Sequence, residues 1–279
     1  MTNGFSSQFF DLGNGQQLHY LSNANHGKPK LLVLHGVNTQ ASYFDEFFPF
    51  ITADYDIYAP DFRGHGESFH SSEPYTLSNY AKDISPLIEQ VIGEPFFLLG
   101  MSLGGRIGLI LATQHRNWLK KLAVVDVGPD VDPAGLDRII QGQAQLPASF
   151  ASREEVETFY ASAYKNVSPH YIERIIRHGW KRLANGAMVT SYDRQIWNLG
   201  RDSFTEDARS LNALVPQIEQ PVLIIRGGLS DILQAAAAQR FVQQLQQGEL
   251  VEIPNTTHGV ILEEPAQCAQ RIGSFFARP

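Results

Sequence analysis

Residues 98–109 read Leu-Leu-Gly-Met-Ser-Leu-Gly-Gly-Arg-Ile-Gly-Leu, with one hydroxyl and four glycines between an apolar run and a segment of helical spacing. Packing alone gives no reason for a serine at so tight a corner. Gly100-Met101-Ser102-Leu103-Gly104 is a G-x-S-x-G sequence, and on a sharp strand-to-helix turn the flanking glycines permit backbone approaches that a Cβ would block. Such a turn pushes the Ser102 hydroxyl out at the C-terminal edge of a sheet. It sets the first amide of the next helix, that of Leu103, beside it, where the helix dipole favours developing negative charge.

Outward from this corner, buried strands alternate with helices. The first third reads as a hairpin around Gly13-Asn14-Gly15, buried runs "PKLLVLHG" and "YDIYAPD", and a helix over "LSNYAKDISPLIEQVIG" with Ser78 as its N-cap. "PFFLLG", the Ser102 helix and "LKKLAVVDVG" follow. The alternation then stops from about residue 129 to Val215, where the chain reads as helical with no buried strand. It resumes with "QPVLIIRGG", a helix over 232–246, "GELVEIP" and a helix from Glu264. The pattern predicts an α/β fold with a mostly parallel sheet covered by helices. The core comprises residues 1–129 and 213–279, and residues 130–212 form a helical cap. The cap aromatics Tyr160, Tyr164, Trp180, Tyr192 and Trp197 divide between packing and a pocket, and Trp197 is a candidate for substrate contact.

A formal net charge of −7 and the lack of a basic run argue against a nucleic-acid partner. No apolar run approaches the roughly 20 residues that span a bilayer. The single cysteine, Cys268, cannot form an internal disulfide and reads as a packed thiol. Neither phosphate-binding glycine loops nor metal-ligand spacings occur, so no cofactor and no metal are expected. These features point to a cytoplasmic protein, monomer or homodimer, whose partner is a small-molecule substrate.

A serine hydroxyl needs a base. His258 follows a strand in the loop "NTTHGV" and can reach across the sheet edge to Ser102; His19, His26, His115, His170 and His178 read as surface or cap residues. The base in turn needs an acid to fix its tautomer. Asp231, after "VLIIRGGLS", is the expected acid, and Asp126, which ends "LAVVD", is its rival.

Taken in order, Ser102, Asp231 and His258 resemble the nucleophile–acid–base arrangement of the α/β-hydrolase fold superfamily, and the resemblance extends over nearly the whole chain. "LLVLHG" resembles the oxyanion strand, "PDFRGHGES" the loop after the fourth strand and "NTTHGVILEEP" the histidine loop. The resemblance implies an eight-stranded sheet with its cap after the sixth strand. It also assigns the second oxyanion donor to the amide of Val37, although this chain has H-G-V where some members have H-G-G-G. His35 would orient that loop beside the substrate, and Asp61, Arg63, His65 and Ser68 would form a hydrogen-bonded support. Arg106, four residues after Ser102, would meet a substrate carboxylate or pair with the cap or sheet. The implied function is a serine hydrolase of a carboxylic ester or related acyl bond, with no Asp at position 102 for dehalogenase or epoxide chemistry. Alternatives are hydrolysis of an amide or C–C bond in a small carboxylated catabolite, or a small-ligand receptor on the same fold.

Overall fold

The computed structural model describes residues 4–13, 15–163 and 169–279, the side chains at 163 and 199–202 excepted. Strands β1 (Ser6–Gly13) and β2 (Gln16–Ser22) form the expected hairpin, and β3 (Lys30–Leu34) and β4 (Asp56–Pro60) follow. Helix α1 (Leu77–Leu87) is capped by Thr76, whose hydroxyl accepts from the Asn79 amide at 3.2 Å, and not by Ser78. Leu77 is therefore already inside the helix, with its side chain buried. Next come β5 (Phe96–Met101), α2 (Leu103–Gln114) and β6 (Leu119–Val125).

The insertion after β6 contains α3 (Pro133–Gln145), α4 (Arg153–Ala163), α5 (Pro169–Gly179), the short strands β7 (Trp180–Arg182) and β8 (Met188–Thr190), and α6 (Gly200–Leu214). Here the structure departs from an all-helical expectation: β7 and β8 pair antiparallel, and Phe150 bridges to Met188 beside them. Two strands of three residues are too short to show period-2 alternation in sequence. The chain returns through β9 (Val222–Gly227), α7 (Ala235–Gln244), β10 (Gly248–Ile253), α8 (Val260–Glu263) and α9 (Pro265–Ala277).

The main sheet has eight strands in the order β1-β2-β4-β3-β5-β6-β9-β10, with β2 antiparallel to its neighbours and the pairings from β4 to β10 all parallel. Because side chains alternate across a strand, β3 sends Leu32 and Leu34 into one apolar layer with α1, α2 and α7. It sends Leu31 and Val33 into the other, which includes Phe44, Phe48 and residues of α9. Cys268 is buried in that second layer, and burial pushes its thiol up to about 12. Leu146, Val156, Tyr160, Ile176, Trp180 and Met188 form a third, smaller cluster inside the insertion.

Two glycines set the distance between α2 and the sheet. A Cβ on Gly100 would overlap the carbonyl of Gly104, and one on Gly104 would overlap the carbonyl of Leu34 on β3. Both obstacles are backbone, which cannot rotate aside. Gly104→Ala should therefore destabilise the fold by about 3 kcal/mol. Gly142→Ala, in α3 with open space around it, should be neutral or stabilising by up to about 1 kcal/mol. Urea unfolding of the two variants checks the contrast.

Candidate active site

Ser102 occupies the joint between β5 and α2 with φ +52° and ψ −118°. A non-glycine residue pays roughly 1–3 kcal/mol for such a backbone, so the surroundings must hold it. The Ser102 amide donates to Val125 O at 3.0 Å, and the Gly104 amide donates to His35 O at 3.0 Å. Gly36 lies close enough that its Cβ would sit 3.4 Å from that of Ser102. The amides of Leu103, at the first position of α2, and of Val37 donate to no acceptor among the described residues. Both residues line the same cavity as Ser102.

His258 sits in the loop between β10 and α8. Its Nε2 is 3.1 Å from Ser102 Oγ, and its Nδ1 is 2.7 Å from Asp126 Oδ2. A carboxylate only accepts, so Nδ1 carries the proton and Nε2 is free to accept from the hydroxyl. The loop is braced by the Thr257 amide, which donates to Glu263 at 2.8 Å, and by the Leu229 amide, which donates to Thr256 O at 2.7 Å. A Cβ on Gly227 would overlap Thr257 O, so glycine there lets the histidine loop approach β9.

The carboxylate against His258 is Asp126, where Asp231 was expected. Asp126 is fully buried at the end of β6, itself at φ +51°. Its Oδ1 accepts from the Gly227 amide at 2.8 Å, and its Oδ2 accepts from Ser230 Oγ at 2.5 Å as well as from His258. Asp231 faces the other way. Half exposed, it forms an ion pair with Arg138 of α3 at the cavity wall and makes no contact with His258. Ser230 holds the inward position after β9: its hydroxyl also accepts from the amides of Ile232 and Leu233 at 3.2 and 3.1 Å. "GGLSD" contains both residues, and nothing in its pattern says which of them points in.

A second chain of the same residue types, Ser7–His19–Asp61, has distances of 2.6 and 2.7 Å. Ser7 lies on β1, His19 on β2 and Asp61 just after β4, outside the cavity, with no helix N-terminus beside the serine. Asp61 also takes the amides of Ala41 and Glu67, at 2.6 and 3.0 Å, so this chain clamps loops together. His19, expected as a surface or cap residue, is thus buried in the core domain, whereas His178, read the same way, lies on α5 of the insertion and contacts Ser42 Oγ at 2.9 Å.

Ser102, His258, Val37 and Leu103 open into a cavity of about 710 Å³ between the sheet edge and the insertion. Its wall includes several aromatic side chains, with Tyr160, Tyr192, Trp197 and Phe204 contributed by the insertion. Trp197 lines it as expected, stacked on Phe204 and donating to Asn38 Oδ1 at 2.9 Å. Trp180 instead packs within the insertion, and Tyr164 lies outside the described residues. Arg106 lines the cavity. His35 does not: it is fully buried behind the loop, which corrects its placement as a substrate contact. No cluster of three or more potential metal ligands is found, and no helix is long and apolar enough to cross a membrane, among the described residues.

Residues 31–271 match the model of the alpha/beta hydrolase family. The chain belongs to this family. It is an enzyme, a hydrolase, and its relatives bear that out. It is 28% identical over 260 residues to a 3-hydroxybutyrate-oligomer hydrolase of Cupriavidus necator, covering 86% of each chain. It is 25% identical over 254 residues to a 2-(acetamidomethylene)succinate hydrolase of Mesorhizobium japonicum, covering 88% of this chain and 87% of the other. Among solved structures, an alpha/beta hydrolase from Novosphingobium aromaticivorans superposes with a TM-score of 0.83 at 25% identity, over 97% of each chain.

The loop that carries Val37 rests on two buried histidines in this hydrolase. His35 Nδ1 donates to Gly36 O at 2.7 Å, and its Nε2 accepts from the Phe62 amide at 3.0 Å. His65 Nδ1 donates to Arg63 O at 3.0 Å, and its Nε2 accepts from the Asn38 amide at 3.3 Å. Each ring uses its second nitrogen as an acceptor, so protonation would break a bond as well as charge a buried group. Burial, and then the neighbouring His35 ring, push His65 down to about 3; burial also lowers His35. The unfolded chain takes up these protons near pH 6.5 and the native state does not. Stability is therefore full above that pH and falls as pH drops toward 3. His65 should contribute a slope of about 1.4 kcal/mol per pH unit in this window. His65→Gln should remove that slope in urea unfolding between pH 6.5 and 4.5; an unchanged slope would show that the native ring is protonated.

Proposed function

We propose that this hydrolase cleaves a carboxylic ester or related acyl bond of a small molecule through an acyl-enzyme on Ser102. The observation that carries the reading is the unbroken chain from buried Asp126 through His258 to Ser102 Oγ, at 2.7 and 3.1 Å, ending in the cavity. In this reading His258 Nε2 takes the hydroxyl proton as Oγ attacks the carbonyl carbon, and Asp126 stabilises the imidazolium. The amides of Leu103 and Val37 receive the oxyanion, with the α2 dipole behind Leu103. Collapse expels the alcohol, which takes the proton from His258. Water, deprotonated by the same nitrogen, then releases the acid and restores Ser102.

Residues 130–212 act as a cap that selects substrate: they supply much of the aromatic wall and have an apolar cluster of their own. The relatives named for a 3-hydroxybutyrate oligomer and for 2-(acetamidomethylene)succinate support acyl-bond hydrolysis. The second name also supports an amide as the alternative bond. A single buried thiol suits a cytoplasmic enzyme.

A neutral aryl phosphonate should add once, on Ser102, as read by mass spectrometry, and Ser102→Ala should lower kcat on aryl esters by about 10⁴-fold or more. Labelling elsewhere, or Ser102→Ala activity within tenfold of wild type, would overturn the reading. Asp126→Asn should lower kcat by about 10⁴-fold. Asp231→Asn loses only a half-exposed ion pair and should change kcat less than about fivefold. Steady-state kinetics on the two variants, with circular dichroism to confirm folding, ranks the two acids.

A further inference from the structure

Four arginines are buried among the described residues: Arg63, Arg106, Arg174 and Arg226. Burying a guanidinium is costly unless carboxylates or carbonyls take up its five N–H donors. Three of the four have a carboxylate oxygen at hydrogen-bond distance. Arg63 is gripped by both oxygens of Asp83, Nη2 at 2.6 Å, and reaches Ser71 and Glu73. Arg174 pairs with Asp45 and Glu46 and donates to Tyr43 O at 2.6 Å, its Nε alone finding neither a carboxylate nor a carbonyl among the described residues. Arg226 donates to Leu233 O at 2.7 Å and to Glu252 at 2.5 Å.

Arg106 is the exception. Its single hydrogen bond among the described residues is a long one, Nη2 to Pro129 O at 3.4 Å. Among the described residues Nε has no acceptor, and the carboxylate paired with the guanidinium, Asp207 of α6, stands 3.9 Å from Nη1, beyond hydrogen-bond reach. Burial works against the charged form, offset only by Asp207 and Asp130. Arg106 is also the only one of the four that lines the cavity. Its amide donates to Ser102 O at 3.2 Å, one helical turn beyond the nucleophile. Residues so spaced share a helix face, with Cβ atoms about 5–6 Å apart. The cavity's other arginine, Arg138, is already paired with Asp231.

We propose that Arg106 is a specificity residue that receives a carboxylate carried by the substrate, so that this hydrolase acts on acyl compounds bearing a free carboxylate near the scissile bond. This rests on Ser102 being the nucleophile. A planar carboxylate supplies the paired acceptors that the Arg106 fork lacks. Asp207 tunes the site as a rival anion too distant to satisfy the guanidinium.

The test uses two matched ester pairs: 4-nitrophenyl hemisuccinate against 4-nitrophenyl butyrate, and 4-acetoxybenzoate against its methyl ester. The first pair puts the carboxylate on the acyl side and the second on the leaving side. The neutral phosphonate independently reports whether Ser102 reacts. In wild type, kcat/KM should favour the anion by about thirtyfold in one pair. Arg106→Met should abolish the preference, Arg106→Lys should keep part of it as a point charge, and Asp207→Asn should enlarge it. If Arg106→Met does not fold, the wild-type ratio and its rise in Asp207→Asn decide the matter.

Preferences below about threefold in both pairs, or one that survives Arg106→Met, would overturn the proposal. So would one that Asp207→Asn leaves unaltered. With Ser102 labelled by the neutral phosphonate, such results remove the carboxylate and leave the serine hydrolase standing. If the phosphonate fails to label Ser102, the hydrolase reading falls, and the proposal that rests on it falls too.

Discussion

The site depends on one fully buried carboxylate. Asp126 has no solvent to share its charge, so its oxygens must be satisfied by protein donors, and those it finds belong to different parts of the chain. The Gly227 amide and Ser230 hydroxyl come from the end of β9 and its loop, and His258 comes from the loop after β10. The carboxylate thus fixes the relative positions of the adjacent strand ends β6 and β9 and of the histidine loop. Its own backbone sits at φ +51°, as Ser102 does at +52° on the neighbouring strand β5. Two left-handed residues at the ends of paired strands are a local strain that the sheet tolerates because both are tied by hydrogen bonds on each side.

A second constraint holds the opposite wall. The Val37 amide in the loop after β3 has no acceptor among the described residues, so its neighbours carry the loop instead. The neutral rings of His35 and His65 do so, 5.0 Å apart, each donating to one carbonyl and accepting from one amide. Below them Asp61 takes the Ala41 amide and the His19 ring. The "DFRGHGES" loop therefore supports the 35–39 loop, through His65 and the Asn38 amide, and none of its residues lines the cavity.

Much of this was legible in the sequence. Long apolar runs marked β3, β5, β6 and β9, glycine spacing marked the elbow, and a strand followed by a short polar loop marked His258. The acid was not, because Asp126 and Asp231 each follow a buried strand and sequence records position along the strand without recording direction. The choice turns on a φ of +51° that aims Asp126 sideways and on Ser230 holding the inward place after β9. Strands β7 and β8 escaped for want of length. His19 escaped because a buried histidine is identified by its partner, Asp61, which lies 42 residues away in sequence.

Once Asp231 is released from the base, its role becomes part of a wider pattern. Arginine–aspartate pairs join the insertion to the core: Arg174 and Arg177 of α5 with Asp45, Arg138 of α3 with Asp231, and Arg106 of α2 with Asp207 of α6. They differ in what water leaves of them. Arg138 and Asp231 are each 49% exposed, a setting in which an ion pair contributes roughly 0–1 kcal/mol and is screened by salt. Arg174 is fully buried against Asp45, Glu46 and a carbonyl, where removal of one partner strands a charge and costs several kcal/mol. The insertion is therefore held firmly at α5 and lightly at α3. Arg106, buried, and Asp207, partly exposed and 3.9 Å away, lie between these extremes and line the cavity.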